Sequence, residues 1–210
     1  MDRQELIRKV ALKMDEISSS DDVIVSVGID DNNPLYTQID SLLDESVNDV
    51  LMKAPIYRIS DMFKKHSTPK EYIRTNNRQI AVFSVPDDFI RLASISSDLF
   101  KRPVVELAIE GDYISKRQHN DFLMAKTAKP VAVIGQSLSG ERIISCYSFD
   151  ADPEPQATMS YIHRFDGDFA DFDEYMTEVV TWACAGKVFS IQGDIAKSQA
   201  CDANAVAIMS

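Results

Sequence analysis

The stretch QIAVFSVPDDFIRLASI (residues 79–95) determines the fold class of this 210-residue chain. Upstream of it, apolar residues recur every three or four positions, whereas from Gln79 onward they follow the two-residue alternation of a β-strand. Pro86 and Asp87 interrupt the run with residues typical of a turn. The stretch therefore predicts that a β-rich region begins at Gln79.

Further strand-like segments follow toward the C terminus. Ser137–Gly140 separates two of them and has the composition of a hairpin turn, while Asp112–Ala125 predicts a helix inserted between strands. After the run that begins at Gln79, the predicted strands are Phe89–Ile95, Val104–Ile109, Val131–Gln136, Glu141–Phe149 and Ala157–Phe165.

Toward the N terminus the pattern is helical. Asp2 and Glu5 have the spacing of a capping box, and the apolar residues that follow predict a first helix to about Ser18. Pro34 is suited to the first turn of a second, amphipathic helix, which ends before Pro55. Residues 56–63 suggest one more short helix.

Two N-terminal segments are not helical in pattern. Val23–Ile29 alternates and predicts a short strand or an extended arm, and Ser67–Asn77 is the longest candidate linker.

Near the C terminus, Asp171 and Glu174 repeat the capping-box spacing before a buried helix that is predicted from about Phe172 to Gly193. A last helix follows with a face of small residues, namely Ile195, Ala196, Ala200, Ala203, Val206 and Ala207.

Together these elements predict an α+β fold. We expect the N- and C-terminal helices to form a helical bundle, with a small antiparallel β-sheet region inserted between them. The predicted parts are a helical part with an extended arm (1–78), a β-rich part with one inserted helix (79–165) and a C-terminal helical part (166–210). The last packs on the N-terminal helices in one compact structural unit.

The charge balance argues against nucleic-acid recognition. The formal net charge is -11 and the pI about 4.7, whereas phosphate binding requires clustered Lys and Arg. Three widely spaced cysteines indicate neither a disulfide framework nor a zinc site. An N terminus without a signal-peptide pattern and the absence of an 18-residue apolar run predict a soluble protein that is not exported.

Several sequence patterns are candidate sites of chemistry. Ser137 lies near a nucleophile-elbow pattern, but the second glycine comes one position late, at Gly140, which favours a hairpin turn. His66, His119 and His163 lack the spacing of helical metal ligands. The acidic loop Asp166–Glu174 suits helix capping in a solvated loop, with calcium binding as the alternative. We predict no catalytic residues, no cofactor and no metal.

Aromatic and basic residues are candidate binding positions. Trp182, with Tyr175, Phe172 and Phe189, could stack on bases, but these residues lack accompanying cations except Lys187, which favours a core or subunit interface. The basic pairs are Lys101 with Arg102 and Lys116 with Arg117. They indicate a solvated surface or pairing with a neighbouring subunit's carboxylates.

Three features in order resemble one protein family. They are the helix IDSLLDESVNDVLMKAP (39–55), the block VPDDFIRLASI (85–95) with FKRPVVE (100–106) after it, and ATMSYIHRF (157–165) leading into DEYMTEVVTWACAGKV (173–188). They are similar to the head-tail connector (adaptor) proteins of tailed bacteriophages, such as adaptors of short-tailed phages and tail-barrel ring proteins of crAss-like phages. Phe100 departs from the tryptophan common there, and Val23–Ile29 and Ser67–Asn77 have no counterpart.

The resemblance implies a structural virion protein and not an enzyme. It implies a homo-oligomeric, dodecameric ring that binds the portal protein, contacts adjacent tail, nozzle or fibre proteins, and continues the DNA channel without specific DNA binding or membrane contact. Such a ring is assembled in the host bacterial cytoplasm and resides in the virion. The predicted interface residues are Leu6 and Val10 in the first helix and Ala203, Val206, Ile208 and Met209 in the last.

Four alternatives to this function remain. Within the virion, the chain could be a tail terminator or a decoration protein. Outside it, the alternatives are a small cytoplasmic hydrolase and a monomeric regulatory binding module. A native mass far above 23.5 kDa would exclude the last of these.

Overall fold

The computed structural model describes residues 2–18, 34–75, 78–120, 122–150, 156–167, 169 and 172–210. The chain divides into two compact units. The helical unit consists of Met1–Phe63 together with Arg164–Ser210, and the β unit consists of Lys64–His163. Along the chain, the β unit is therefore an insertion between the two segments of the helical unit.

Five α-helices form in the described residues, and all but the third belong to the helical unit. The one with the most extensive burial is the fourth, which packs against the first, second and fifth. Its sequence is apolar on most of its faces, as expected of a helix that others surround. The helices are α1 (Arg3–Ser18), α2 (Pro34–Lys53), α3 (Tyr113–Gln118), α4 (Glu174–Gln192) and α5 (Ile195–Met209).

Local chemistry sets the helix starts. The predicted first helix is confirmed: the Asp2 carboxylate accepts a hydrogen bond from the Glu5 amide at 2.6 Å, and α1 ends at Ser18. The second predicted helix is confirmed from Pro34. The short helix predicted over 56–63 is instead a pair of 3₁₀ turns, Ile56–Arg58 and Asp61–Phe63.

A cluster of phenylalanines joins the two chain segments of the helical unit. Phe63 comes from the first segment, and Phe165, Phe169 and Phe172 come from the second. Ring centroids within this cluster lie 4.6 to 6.5 Å apart, the range of favourable edge-to-face and tilted contacts. The cluster therefore holds the two segments of the helical unit together next to Phe63 and Arg164, between which the β unit is inserted.

Two glycines allow α5 to follow α4 and to pack against it, one at the end of α4 and one inside it. Gly193 has φ +84° and ends α4 with the left-handed cap that glycine adopts without strain. Gly186 faces α5, where a Cβ atom would lie 3.3 Å from the Cβ of Cys201. The absence of a side chain at Gly186 therefore allows α5 to pack closely on α4.

The β unit contains two sheets. The three-stranded sheet has the order β1-β8-β4, and the five-stranded sheet has the order β2-β3-β7-β6-β5. All neighbours are antiparallel except β5 and β6, which are parallel. The strands are β1 (Lys64–Ser67), β2 (Glu71–Thr75), β3 (Arg78–Ser84), β4 (Phe89–Ser97), β5 (Leu107–Ile109), β6 (Val131–Gln136), β7 (Arg142–Asp150) and β8 (Ala157–His163).

Both sheets contribute to one apolar core. Phe83 and Ile144 come from the five-stranded sheet, Ile95 and Met159 come from the three-stranded sheet, and all four side chains are fully buried. Phe100 stacks on Phe149 at 4.7 Å between centroids and packs against the same cluster. The alternation seen in the sequence therefore places one face of each sheet in a shared core.

The predicted fold of a helical bundle with one small antiparallel sheet is wrong. The chain is α+β, but it has two sheets of three and five strands, and the pairing of β5 with β6 is parallel. The sequence pattern missed β1 and β2, which precede Gln79; β1 directly follows the predicted short helix (56–63), and β2 lies in the predicted linker Ser67–Asn77. Both are edge strands rich in charged residues, so they lack the apolar alternation that marks a half-buried strand.

Other predicted elements are shorter than expected. The helix predicted over Asp112–Ala125 is limited to α3, and the strand predicted over Val104–Ile109 is limited to β5, with an isolated bridge between Val104 and Ile95. The arm predicted at Val23–Ile29 lies outside the described residues. Among the helices of the described residues, none combines the length and apolarity needed to cross a membrane.

Candidate functional site

The residues predicted to form an interface divide into two groups. Leu6 and Val10 are 0% exposed, because the apolar side of α1 packs on α2 and α4 inside the helical unit. Their side chains are therefore used in the chain's own core and present no surface to a partner. The four predicted residues of α5 differ: Ala203 and Val206 are exposed, and Ile208 and Met209 are partly exposed.

The outward side of α5 is an apolar surface. Of its nine exposed residues between Ile195 and Ala207, six are apolar, and the other three are Gln199, Asn204 and the charged Asp202. Ile195 and Val206 are more than half exposed, as is Ile191 at the end of α4. We call this surface the C-terminal face and define it by Ile191, Ile195, Ala196, Ala200, Ala203, Val206 and Ala207.

The packing of α5 explains which side is exposed. The Asp194 carboxylate caps the helix by accepting from the Lys197 amide at 3.1 Å, and Ser198, Cys201 and Ala205 are buried. These three residues lie on one stripe at helical spacing, so the alanines on the opposite side point outward. Alanine side chains are short, and another helix can therefore approach this face closely.

A groove beside the C-terminal face leads to an acidic row on α2. Its volume is about 220 Å³, and its walls include Val206 and Met209 of α5 and Asp49 of α2. The acidic row consists of Asp40, Asp44, Glu45 and Asp49, whose side chains are between 43% and 67% exposed. The apolar face and the acidic row thus meet at one groove within the helical unit.

Two cations of the helical unit neutralise part of the acidic row. The Arg3 guanidinium binds Asp40 and Asp44, and the Lys187 ammonium lies 2.7 Å from both Glu45 and Asp49. Burial lowers the pKa of each cation, but the hydrogen bonds to the carboxylates outweigh it and raise the pKa of both. Four carboxylates share two cations, so the row keeps a negative charge.

The β unit has its own exposed apolar surface around β5 and α3. Six large apolar side chains between residues 105 and 123 are at least 46% exposed. Phe122 is the extreme case at 94%. We call this the β5 surface and define it by Val105, Ile109, Tyr113, Ile114, Phe122 and Leu123. Exposed apolar residues concentrated in so short a segment are typical of interaction sites.

A groove of about 530 Å³ runs along the β5 surface. Val105 and Ile114 line it, as do two cations, Arg102 and Lys129, and two carboxylates, Glu106 and Asp112. The backbone edge here is partly closed, because the Ile109 amide donates to the Asp112 carboxylate at 3.1 Å. The side chains beside β5 are thus better placed for contacts than the strand edge itself.

The segment Ser137–Gly140, which matches the nucleophile-elbow pattern only in part, forms a hairpin turn. The Gly140 amide donates to the Ser137 carbonyl at 2.9 Å, and the Ser137 hydroxyl accepts from the Glu141 amide at 3.1 Å. Gly140 has φ +83°, which this turn between β6 and β7 requires. The predicted hairpin at Ser137–Gly140 is therefore confirmed.

The histidines and acidic residues considered as metal ligands do not come together in one site among the described residues. His66 lies on β1 and His119 follows α3, while His163 is buried at the end of β8. No group of three or more His, Cys, Asp or Glu side chains in the described ranges is arranged to hold a metal ion. Asp173 caps α4 by accepting from the Met176 amide at 2.7 Å, while Asp171 lies outside the described residues.

The aromatic and thiol side chains belong to the interior. Trp182 is 9% exposed, and the Lys13 ammonium lies 4.9 Å from its ring centroid, so a stacking platform for bases is not formed. All three cysteines are free and buried. Burial raises the pKa of Cys146 to about 12 and that of Cys184 and Cys201 to about 11, which keeps these thiols protonated and poorly nucleophilic.

Sequence reasoning missed the β5 surface. The sequence pattern places its residues in a predicted strand and a predicted helix, whose apolar sides would be buried. A signal was present, because Phe122 and Leu123 have no strand-like alternation or helical repeat with their neighbours.

A scan against protein-family models gives no match, and no curated protein matches this sequence.

Proposed function

We propose that this chain is a structural subunit that assembles with copies of itself into a ring. In this proposal it acts as a head-tail connector of a tailed bacteriophage, which joins the portal to the tail and continues the DNA channel. The sequence resemblance suggests the connector role and a dodecameric ring. Assembly would occur in the host cytoplasm, and the finished ring would reside in the virion.

The observation that carries the proposal is the pair of unlike apolar surfaces. The C-terminal face belongs to the helical unit and the β5 surface to the β unit. Two different surfaces on one chain allow a head-to-tail contact between copies, and repetition of such a contact closes into a ring when the rotation per subunit divides a full turn. A subunit with a single self-complementary surface would stop at a dimer.

The first experiment measures the native mass of the purified chain. We expect an oligomer many times the 23.5 kDa of one chain by light scattering after size-exclusion chromatography, and closed rings by negative-stain electron microscopy. A monomer at all concentrations tested would refute the proposal.

Surface variants locate the contact. Val206→Asp on the C-terminal face and Ile109→Asp on the β5 surface each place a charge where an apolar contact is expected, and each should dissociate the ring. Leu138→Asp is the matched control, because Leu138 is fully exposed in the hairpin turn and outside both surfaces. Its ring should remain intact. Dissociation by the control alone would contradict the assignment of the two surfaces.

A further inference from the structure

The charge of the chain is divided unequally between its two units. The helical unit contains 21 Asp and Glu against 9 Lys and Arg, whereas the β unit contains 12 against 13. The formal net charge is therefore -12 for the helical unit and +1 for the β unit, which together give the -11 of the chain. Copies that meet through unlike units would avoid the repulsion between two acidic helical units.

A cationic cluster concentrates the positive charge of the β unit. The Lys101 amide donates to the Thr127 carbonyl at 3.2 Å, which joins the loop of Lys101 and Arg102 to the tight turn Lys126–Lys129. All four cations of these two loops are exposed. None has an ion-pair partner among the residues that the structure describes.

The cationic cluster lies beside apolar side chains. Arg102 and Lys129 line the same groove as Val105 and Ile114 of the β5 surface. The acidic row has a corresponding arrangement, because Asp49 lines a groove together with Val206 and Met209. Both grooves are lined by charges of both signs, with Lys53 and Lys187 beside Asp49 and Asp202 in the first and Glu106 and Asp112 beside Arg102 and Lys129 in the second. The opposite charges of the two surfaces are therefore those of the four exposed cations of the cluster and of the carboxylates of the acidic row.

We infer that the cationic cluster (Lys101, Arg102, Lys126 and Lys129) of one copy pairs with the acidic row on α2 of the next copy. This inference rests on the proposed function and specifies the contact that makes the assembly head-to-tail. Unpaired cations on one unit and surplus carboxylates on the other disfavour contacts between like units, so opposite charges select the head-to-tail orientation.

A second copy explains the cluster better than a nucleic acid does. A phosphate backbone would use the cations but not the exposed Val105 and Ile114, whereas a protein surface uses both. The helical unit carries a surplus of 12 negative charges on the same chain, which opposes the approach of DNA. DNA binding is therefore kept as an outcome of the test.

The test is a charge swap between two double variants. The first, Arg102→Glu with Lys129→Glu, reverses the cationic cluster. The second, Asp44→Lys with Glu45→Lys, reverses part of the acidic row and leaves Asp40 with Arg3 and Asp49 with Lys187. The control Arg8→Glu with Arg142→Glu makes the same change in net charge as the first variant at exposed cations outside the cluster and outside the β5 surface.

Each double variant alone should self-associate more weakly than the natural chain, by on the order of tenfold or more in the association constant at low salt. An equimolar mixture should recover the native mass, because every contact then joins opposite charges. Mass would be measured by analytical ultracentrifugation, with circular dichroism showing that each variant is folded. The control should assemble like the natural chain.

Other outcomes separate the two proposals. If the natural chain assembles and both double variants assemble equally well, the charge pairing is refuted while the ring proposal stands. If both variants dissociate and their mixture does not recover, the pairing is also refuted. A first variant that assembles normally but loses binding to duplex DNA would assign the cluster to phosphate instead. A natural chain that never assembles overturns both proposals.

Discussion

The packing of α1 predicts very different costs for two identical substitutions. Leu6 and Leu12 lie on the same helix, but Leu6 is 0% exposed and Leu12 is 57% exposed. Leu6→Ala removes buried methyl and methylene groups and leaves a cavity, which should lower the free energy of unfolding by about 3 kcal/mol. Leu12→Ala makes the same change in helix propensity at a solvated position, so its effect should stay within about 0.5 kcal/mol.

A single tryptophan provides the assay. Trp182 is the only tryptophan of the chain, lies on α4 in the helical unit, and is covered by Lys13 of α1, so its fluorescence reports this unit. With a urea dependence of about 2 kcal/mol per molar, the Leu6→Ala midpoint should fall by about 1.5 M. The measurement is made at low micromolar concentration and repeated after tenfold dilution.

Two results would refute the assignment of Leu6 to the core. One is an equal shift for Leu6→Ala and Leu12→Ala. The other is a Leu6→Ala shift that disappears on dilution, because stability gained between copies depends on protein concentration, whereas stability gained within one chain does not. The second result would assign Leu6 to a contact between subunits.

Three further predictions use the same fluorescence assay. Asp173→Ala removes the hydrogen bond to the Met176 amide and should cost about 1 kcal/mol, whereas Asp173→Asn should retain most of the cap; equal losses would contradict this. Gly193→Ala places a side chain at φ +84° and should cost about 1 kcal/mol, and Gly193→Asn should cost less; a neutral Gly193→Ala would show that the cap is not left-handed in solution. Burial raises the pKa of Cys184 to about 11 from its usual 9.0, so its neutral thiol contributes stability that is complete below pH 9 and is lost as the pH rises toward 11. The urea midpoint should therefore fall less steeply over this window in Cys184→Ala than in the natural chain, and identical slopes would count against the buried thiol.

Helix ends were predictable because their chemistry is local. The Asp2 cap, Pro34 at a helix start and Gly193 at a helix end each act on backbone groups within a few residues. Strands with one buried face were predictable from alternation, and β6 has the predicted bounds Val131–Gln136. Both signals are contained in short windows of sequence.

The edge strands and the parallel pairing were not predictable in this way. β1 and β2 are strands because β8 and β3 supply hydrogen-bond partners, and their charged side chains give no alternation. The pairing of β5 with β6 depends on a crossover of more than 20 residues that includes α3. Partners distant in sequence leave no trace in a local pattern.

The sequence by itself determined which residues of each helix share an apolar side, and it placed Leu6 and Val206 among them. Only the tertiary structure decided that Leu6 is covered and that Val206 is 59% exposed. The physical reason is that periodicity describes one element alone, whereas burial depends on which other elements pack against it. Here α4 packs against the side of α5 that contains Cys201 and Ala205, and the side that contains Val206 is exposed.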